Sequence, residues 1–390
     1  MTTCTRCLLT HQSPNVRFDD DGVCNHCATY EAHAHKLRDF DALRPLLHQR
    51  FDRVRGKQRY DALVGLSGGK DSSYVAYKLV REHGLTVLLM TYDNGFLTDY
   101  AKKNIAHIVE QLGQDHVFCS PSRPVHRAIY RSSLRLSGVP CVGCTLPGFL
   151  HAFKLAVDKD IPLLVHGRTR AQMFKGLAPG STDPFLPMLS GGFRPYDPET
   201  ARAQMLRMAR KLGRTLRLFA PQPALRAELN RLFSPDLDKL QRMTEPPELI
   251  GYFLYEPYDE EGIKATLEQA IAWKRSDDDH LMGHDDCSVH AVAAYLHNVD
   301  YGYPILRPEL STMIREGDIT RDAAQARLER EHCAVKLNEA SLDALCEMTW
   351  FTPGRVLSHA HRISKAMVGL RAWLGVRNRF FPPGDLELMR

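Results

Sequence analysis

The 390-residue chain is 44% hydrophobic and 25% charged, the balance of a folded globular protein rather than of a disordered or collagen-like one. Its 51 basic and 46 acidic residues leave a net charge of +5, below the strongly basic range of a dedicated nucleic-acid domain; an anionic small substrate fits equally well. No run approaches the ~18–20 apolar residues of a membrane span, and Met1 to Cys7 lacks the apolar run of a signal peptide. A cytoplasmic protein with no membrane partner is expected, one large domain with additions.

The ten cysteines fall at 4, 7, 24 and 27, at 119, 141 and 144, and at 287, 333 and 346. Without an export signal a disulfide framework is not expected, so spacing matters more than number. Cys4-Thr5-Arg6-Cys7 and Cys24-Asn25-His26-Cys27 are two Cys-x-x-Cys knuckles separated by 16 residues. Two thiolates on each of two tight turns supply the tetrahedral four-sulfur set that Zn²⁺ prefers in a closed structural site. Cys4, Cys7, Cys24 and Cys27 are therefore read as zinc ligands, with a redox dithiol as the alternative and His26 as a bystander or a support behind the ligands. Between the knuckles, Val16-Arg17-Phe18 reads as extended and Asp19-Asp20-Asp21-Gly22 as a turn,. Too few apolar residues lie here to fold unaided, so the metal would supply the stability. Tyr30 to Arg55 reads as a helical linker interrupted at Pro45,.

Asp61 to Leu66 forms a short apolar run, followed by Ser67-Gly68-Gly69-Lys70-Asp71-Ser72 and a helical pattern over Ser73 to Val80,. A strand, a glycine turn and a helix N-terminus make an anion site. The glycines let backbone N–H groups approach phosphate, the helix end and Lys70 add positive charge, and Ser67 and Ser72 offer hydroxyls. The spacing is not that of a Walker loop. Asp71 is either a magnesium contact or a helix cap. Further strands are predicted at Thr86 to Tyr92, His116 to Cys119 and Ile161 to His166, with helices over Asp99 to Leu112 and Phe149 to Val157. This alternation indicates a parallel sheet covered on both faces. Ligands of such sheets sit beyond the carboxyl ends of the strands, which puts Asp93, Cys119, Gly167 and Arg168 near the nucleotide.

The strand followed by SGGKDS resembles the pyrophosphate loop of the N-type ATP pyrophosphatases, the PP-loop superfamily. The resemblance implies an α/β fold, a doubly wound parallel sheet of the adenine nucleotide alpha hydrolase-like kind, with ATP and Mg²⁺ bound. The β- and γ-phosphates would lie in the loop on Ser67, Gly68, Gly69, Lys70, Asp71 and Ser72, with Lys70 and Asp71 catalytic, and the end of the second strand would cradle adenine and ribose. The implied reaction is adenylation of a substrate oxygen with release of pyrophosphate, then displacement of AMP by a nitrogen or sulfur nucleophile. Donors positioned on the phosphate oxygens would lower the barrier electrostatically.

Cys141-Val142-Gly143-Cys144 is read as a metal-binding pair in a loop entering a helix, with Cys287 the most plausible distant third ligand,. Cys141 and Cys144 also stand as catalytic candidates, while Cys119, Cys333 and Cys346 read as packing. Two subfamilies share this order. Over roughly residues 1–330 the chain resembles the N-acetyl sugar amidotransferases of surface-polysaccharide and flagellar-sugar pathways: Asp-Asp-Gly-Val-Cys-Asn-His-Cys, SGGKDS, Tyr-Asp-Asn-Gly-Phe, Pro-Cys-x-x-Cys, and Gly317-Asp318-Ile319-Thr320-Arg321. That resemblance implies an acetamido group on a sugar nucleotide converted to an acetamidino group, with ammonia from a separate glutaminase and synthase. Amidotransfer is the reading preferred from the sequence; as its alternative the chain also resembles zinc-containing tRNA and small-molecule sulfur transferases in which three cysteines hold an iron–sulfur cluster, and a sulfur-donor protein and tRNA would then be partners. Those enzymes carry an acidic segment after the fourth strand, where this chain has Gly167-Arg168-Thr169-Arg170-Ala171-Gln172. Arg168 and Arg170 would suit a second phosphate or carboxylate on the substrate, or form an exposed surface pair.

The chain divides as a zinc ribbon over 1–30, a helical linker over 31–59, a PP-loop domain over 60–198 and an α-rich substrate or oligomerisation region over 199–390, with a homo-oligomer expected. Leu177 to Pro198 reads as a lid or a plain connector. The basic run from Arg202 to Arg217 reads as a solvated helix face, with a nucleic-acid surface as the alternative. Glu256 to Arg275 and Ile319 to Ala340 look helical. The acids and histidines of Asp277 to Asp286 suit a solvated loop or a metal, and the aromatic, basic stretch from Trp350 to Arg390 suits a partner. A third reading, a zinc-dependent nucleic-acid module without catalysis, would require ATP turnover to be absent.

Overall fold

The computed structural model describes residues 2–13, 15–175, 194–220, 222–275, 286–334 and 337–358. The stretches around 177–193, Asp277 to Asp285 and 359–390, on which the lid, acidic-loop and tail readings fall, lie outside the described residues. Helices α1 (Asn25–Leu37) and α2 (Phe40–Val54) lead into β1 (Ala62–Gly65), α3 (Lys70–Tyr77), β2 (Val87–Tyr92), α4 (Asp99–Leu112), β3 (His116–Cys119), α5 (Arg123–Ser137), α6 (Cys141–Asp158), β4 (Leu163–His166) and α7 (Arg170–Phe174). Then follow α8 (Pro198–Phe219), α9 (Arg226–Phe233), α10 (Leu237–Arg242), β5 (Glu248–Gly251), α11 (Glu260–Ile271), α12 (His290–Tyr301), α13 (Arg307–Glu316), α14 (Arg321–Ala334) and α15 (Glu339–Thr349). Among the described residues no helix is long and apolar enough to cross a membrane.

The five strands form one parallel sheet in the order β3-β2-β1-β4-β5. Successive residues of a strand point to opposite faces, and here they enter different cores. Ala62, Val64, Val87, Leu89, Leu163, Val165 and Ile250 pack into one apolar cluster with α2, α3, α4 and α11. Leu63, Leu88, Met90 and Leu164 pack into another with α6 and α8. Continuous apolar strands thus follow from a sheet buried on both sides. The chain leaves β1 toward β2 and β3, then returns to place β4 on the other side of β1, so the loops after β1 and β4 diverge and leave a crevice above the sheet.

Several elements differ from expectation. β5 extends the sheet beyond the four strands predicted, and α5 was not predicted at all. Pro45 does not interrupt α2: Pro45 and Asp41, whose carbonyl its ring leaves unpaired, are both exposed, so water can take the bond. Cys141 and Cys144 lie not in a loop but on the first turn of α6, which continues through Pro147. The expected C-terminal helices are found as α11 and α14. α1 runs through residue 30, so the zinc module and the linker share a helix.

Arg170 is not a surface or ligand-binding arginine. It is 2% exposed and donates from Nε to Glu316 Oε2 at 2.6 Å, from Nη2 to the Leu37 carbonyl at 2.6 Å and from Nη1 to the Leu254 carbonyl at 3.3 Å. Its guanidinium also stacks on Phe174 and Phe40. Removing one partner of a buried pair strands a charge, so Glu316→Gln should cost about 3–5 kcal/mol of unfolding free energy, read as a lower urea midpoint. A loss below about 1 kcal/mol, the range of an exposed pair, would contradict the role assigned to Arg170.

Candidate active site and metal centre

The loop after β1 is fixed from behind. Gly68 has φ +84, and a Cβ there would meet the Ala101 carbonyl oxygen of α4 at 2.5 Å. Trp273 Nε1 donates to the Gly68 carbonyl at 3.1 Å and Asn104 Nδ2 at 3.4 Å. Ser72 Oγ accepts from Ser67 N at 3.1 Å and lies 3.2 Å from Ser67 Oγ. Across the crevice, a Cβ on Gly167 would lie 2.7 Å from the Asp71 carbonyl oxygen, so the end of β4 meets the first turn of α3 with no room for a side chain. The first N–H groups of α3 have no partner within the helix. Tight backbone, small residues and free amides fit a phosphate-bearing ligand.

Lys70 and Asp71 turn toward a cleft bounded by Gln172, Tyr258, Glu260 and Arg327. Lys70 Nζ lies 3.3 Å from Asp71 Oδ2 and 3.9 Å from Glu260 Oε1. Tyr258 donates to Asp71 Oδ1 at 2.9 Å. Burial raises the Asp71 carboxyl above its usual range, and Lys70 and Tyr258 oppose that shift. Gly69 stands at the N-cap of α3 and Asp71 in its first turn, where an acidic side chain suits the helix end,. Asp93, at the end of β2, accepts from Gly95 N at 2.8 Å and Ser120 Oγ at 3.0 Å. Arg168 follows Gly167 at the β4 end, its amide donating to His166 Nδ1 at 3.2 Å.

The second cysteine group converges. Residues 286–288 lie along the segment after β2: Leu97 bridges Cys287, Thr98 N donates to the Asp286 carbonyl at 3.2 Å, and Ser288 N to the Phe96 carbonyl at 2.9 Å. Asp286 Oδ2 is 3.9 Å from where a Gly69 Cβ would stand, so this segment borders the phosphate loop. Asn94 Nδ2 lies 3.4 Å from Cys144 Sγ and 3.9 Å from Cys287 Sγ. Burial pushes Cys144 up to about 12 and Cys141 up to about 11, and raises Cys287 well above the usual thiol range. Cys119 is 4% exposed, in keeping with packing, and burial pushes it up to about 12.

At the N-terminus, Cys4, Cys7, Cys24 and Cys27 bring their sulfurs within 4.8 Å of one another, the one such group among the described residues. Cys4 Sγ to Cys27 Sγ is 3.9 Å and Cys7 Sγ to Cys24 Sγ is 3.7 Å; four Zn–S bonds of about 2.3 Å in a tetrahedron set sulfurs about 3.8 Å apart. Hydrogen bonds shared among the four sulfurs lower Cys4 and raise Cys24 and Cys27, so the group holds protons that a metal would displace. The donor set therefore fits zinc. The turn at Asp19 to Gly22 forms as expected. Arg315 of α13 reaches Cys7 Sγ at 3.7 Å and Cys27 Sγ at 4.0 Å, and Arg307 Nη1 donates to the Leu8 carbonyl at 2.9 Å. His26 is 5% exposed, and burial lowers it to about 4.

Tyr258, Trp273 and Asn94 were not singled out from the sequence. Asn94 sits in a motif legible as a turn, whereas Tyr258 and Trp273 lie 187 and 205 residues from their partners, with no local signal.

No protein-family model matches the chain, and no curated protein matches it. Among solved structures, the U34-tRNA thiolase NcsA from Methanococcus maripaludis with its [4Fe-4S] cluster is similar over 92% of this chain and 96% of that chain, at 13% identity and a TM-score of 0.34.

Two outcomes test these sites. The protein should carry about one zinc per chain by elemental analysis, and Cys27→Ser should lose the metal together with several kcal/mol of stability; a zinc-free, equally stable variant would remove the metal centre. In metal-free protein, alkylation of Cys141 and Cys144 should be slow near about pH 8 and still accelerating at about pH 10, because only the thiolate reacts. A rate that levels off by about pH 9 would contradict the burial of these thiols.

Proposed function

We propose that the chain is an ATP-dependent adenylating enzyme of the PP-loop kind, built on a doubly wound sheet, that passes its activated acceptor to sulfur. The observation that carries this reading is the convergence of Cys144 and Cys287 on Asn94, with Cys141 on the same helical turn as Cys144, beside the loop that fits phosphate. In the reaction, a carbonyl oxygen of the acceptor attacks the α-phosphorus and pyrophosphate leaves. Sulfide then adds to the activated carbon and AMP departs with the former carbonyl oxygen, leaving a thiocarbonyl.

The loop amides of residues 67–72 and Lys70 would hold the departing phosphates, whose charge they offset without reorganising. Asp71, kept in place by Tyr258, would hold Mg²⁺, which supplies further neutralisation of phosphate charge. Asp93 and Gly167, at the ends of the two strands flanking the crevice, would face the nucleoside, and Arg168 the same ligand or the acceptor. Cys144 and Cys287, both near Asn94 Nδ2, with Cys141 on the same turn of α6 as Cys144, would be the three thiol ligands; an iron–sulfur cluster held there would supply a carrier for sulfur. In the protein itself, burial keeps these thiols protonated until a ligand replaces the proton.

A second reading, amidotransfer with ammonia as the nucleophile, is favoured by the sequence motifs shared with the N-acetyl sugar amidotransferases over residues 1–330. Ammonia needs no thiol, and in that reading Cys141, Cys144 and Cys287 would hold a second structural metal rather than carry sulfur.

Protein purified without oxygen should hold iron and acid-labile sulfide beside zinc, and both should vanish in Cys144→Ser and Cys287→Ser while zinc stays. Lys70→Ala should lower acceptor-dependent pyrophosphate release by at least about a hundredfold, with the fold intact by circular dichroism. Cys287→Ser should keep pyrophosphate release and lose thiolation. Zinc alone, with ammonia-dependent AMP release untouched by the cysteine variants, would replace sulfur transfer with amidotransfer.

A further inference from the structure

The outward face of α5 carries Arg123, Arg127, Arg131 and Arg135, one residue in four, which spaces the side chains about 6 Å apart along some 18 Å of helix. The segment after α15 lies against this ladder. The Arg127 guanidinium sits 3.3 Å from the centroid of the Trp350 ring, and Arg131, Arg135 and Arg355 lie 5.2, 5.7 and 4.3 Å from that of Phe351. Four guanidiniums, those of Arg127, Arg131, Arg135 and Arg355, thus surround two aromatic rings. Among the described residues one carboxylate pairs with the ladder, Glu347 with Arg123 at 2.7 Å, and both of those side chains are exposed. Burial, then repulsion from Arg127, Arg135 and Arg355, depresses the Arg131 guanidinium below its usual range. Charge of one sign is concentrated here, offset among the described residues by Glu347 on Arg123 and, for Arg131, by a bond from its Nε to the Thr349 carbonyl at 2.6 Å.

Trp350 adds an independent observation. It is 67% exposed and caps α15 with φ 54, in the left-handed region, where glycine is the low-strain residue and a bulky side chain is an outlier. An indole left two-thirds in water forgoes most of its burial, and its αL backbone is a strained place for so large a side chain,.

We propose that this face binds a single-stranded polynucleotide, with the arginine ladder on successive phosphates and the open part of the Trp350 ring stacked on a base. Guanidiniums match phosphate oxygens, and an exposed indole backed by arginine is a stacking platform for any base. The sequence beyond the described residues continues in kind: 359–390 contains Arg362, Lys365, Arg371, Arg377, Arg379 and Arg390 against Asp385 and Glu387. The inner side of the same helix reaches the nucleotide crevice, since Tyr130 donates to the Asn94 carbonyl at 2.7 Å and His126 Nε2 lies 3.0 Å from the Asp93 carbonyl. A strand on the outer face would therefore lie one helix away from the site. The surface is argued apart from the chemistry at the loop.

The test is fluorescence anisotropy of the full chain, without ATP, with short labelled oligouridylate and oligothymidylate over about 50 to 300 mM salt. Binding should weaken with salt at a slope of about 0.7 per phosphate contacted. The Arg127→Gln, Arg135→Gln pair should reduce that slope by about 1.4 and weaken binding at least about tenfold. Trp350→Gly, which suits the local φ, should weaken it about tenfold with the slope unchanged. Should the double variant misfold, Arg135→Gln alone, on an exposed side chain, should still reduce the slope by about 0.7. Stronger binding of one oligonucleotide identifies RNA or DNA as the source. Failure of both to bind, variants that bind as the parent does, or displacement by polyglutamate as effective as by oligonucleotide would each overturn the proposal, the last in favour of an acidic protein. Adenylation would stand untouched by any of these.

Discussion

Arg170 is a guanidinium sealed from water, with one carboxylate and two backbone carbonyls as acceptors, and it decides how the chain is assembled. Leu37 ends the N-terminal helix, Leu254 follows the edge strand, Glu316 ends α13, and Arg170 itself opens the helix after β4. Moving any of these by more than a few tenths of an ångström would break a charge-assisted bond in a low-dielectric interior. A buried ion pair gives little net stability over an apolar replacement. Its value here is register: the N-terminal helices, the sheet and the C-terminal helices meet in one arrangement, and the phosphate loop lies where they meet.

The loop inherits that order. Its back is held by the indole of Trp273 and the amide of Asn104, and two glycine positions admit no side chain because a carbonyl oxygen stands there. Donors that are already oriented need no rearrangement when charge develops. The third wall, carrying Cys287, is attached by strand-like bonds to the segment after β2. The strand ends, the loop after β1 and the thiols therefore share one frame.

What the sequence revealed depended on whether the signal was local. β3 and α4 have the bounds read from periodicity, and the four zinc-type cysteines converge as their spacing implied. The helix α5 escaped because its buried face mixes Val125, Ile129 and Leu134 with His126, Ser132 and Ser133, so the apolar stripe is broken by polar residues that find partners only in the fold. Strand β5 is four residues on the sheet edge and opens with Glu248, whose carboxylate is satisfied by Arg50 across 198 residues. The turn carrying Cys141 and Cys144 looked like a loop for its glycines and prolines; Gly143 N bonds back to the Pro140 carbonyl at 2.9 Å, a tight turn that starts the helix regardless. Arg170 was misjudged for the same reason as β5: its partner lies 146 residues away, and composition does not say which charges will be buried.

The docking of the zinc module has a consequence for biosynthesis. Leu8 N bonds to Ser311 Oγ across 303 residues, and Leu8 packs with Leu306, Leu310, Ala324 and Leu328. The module precedes in the chain the helices it packs on, so the surface it covers, on α13 and α14, is synthesised only after the module and the whole sheet. Until then its apolar side stands uncovered. Such a long loop between contacts makes closure slow, so the cysteine module reaches its place late, and a nascent chain carries its apolar side exposed until α13 and α14 have been made.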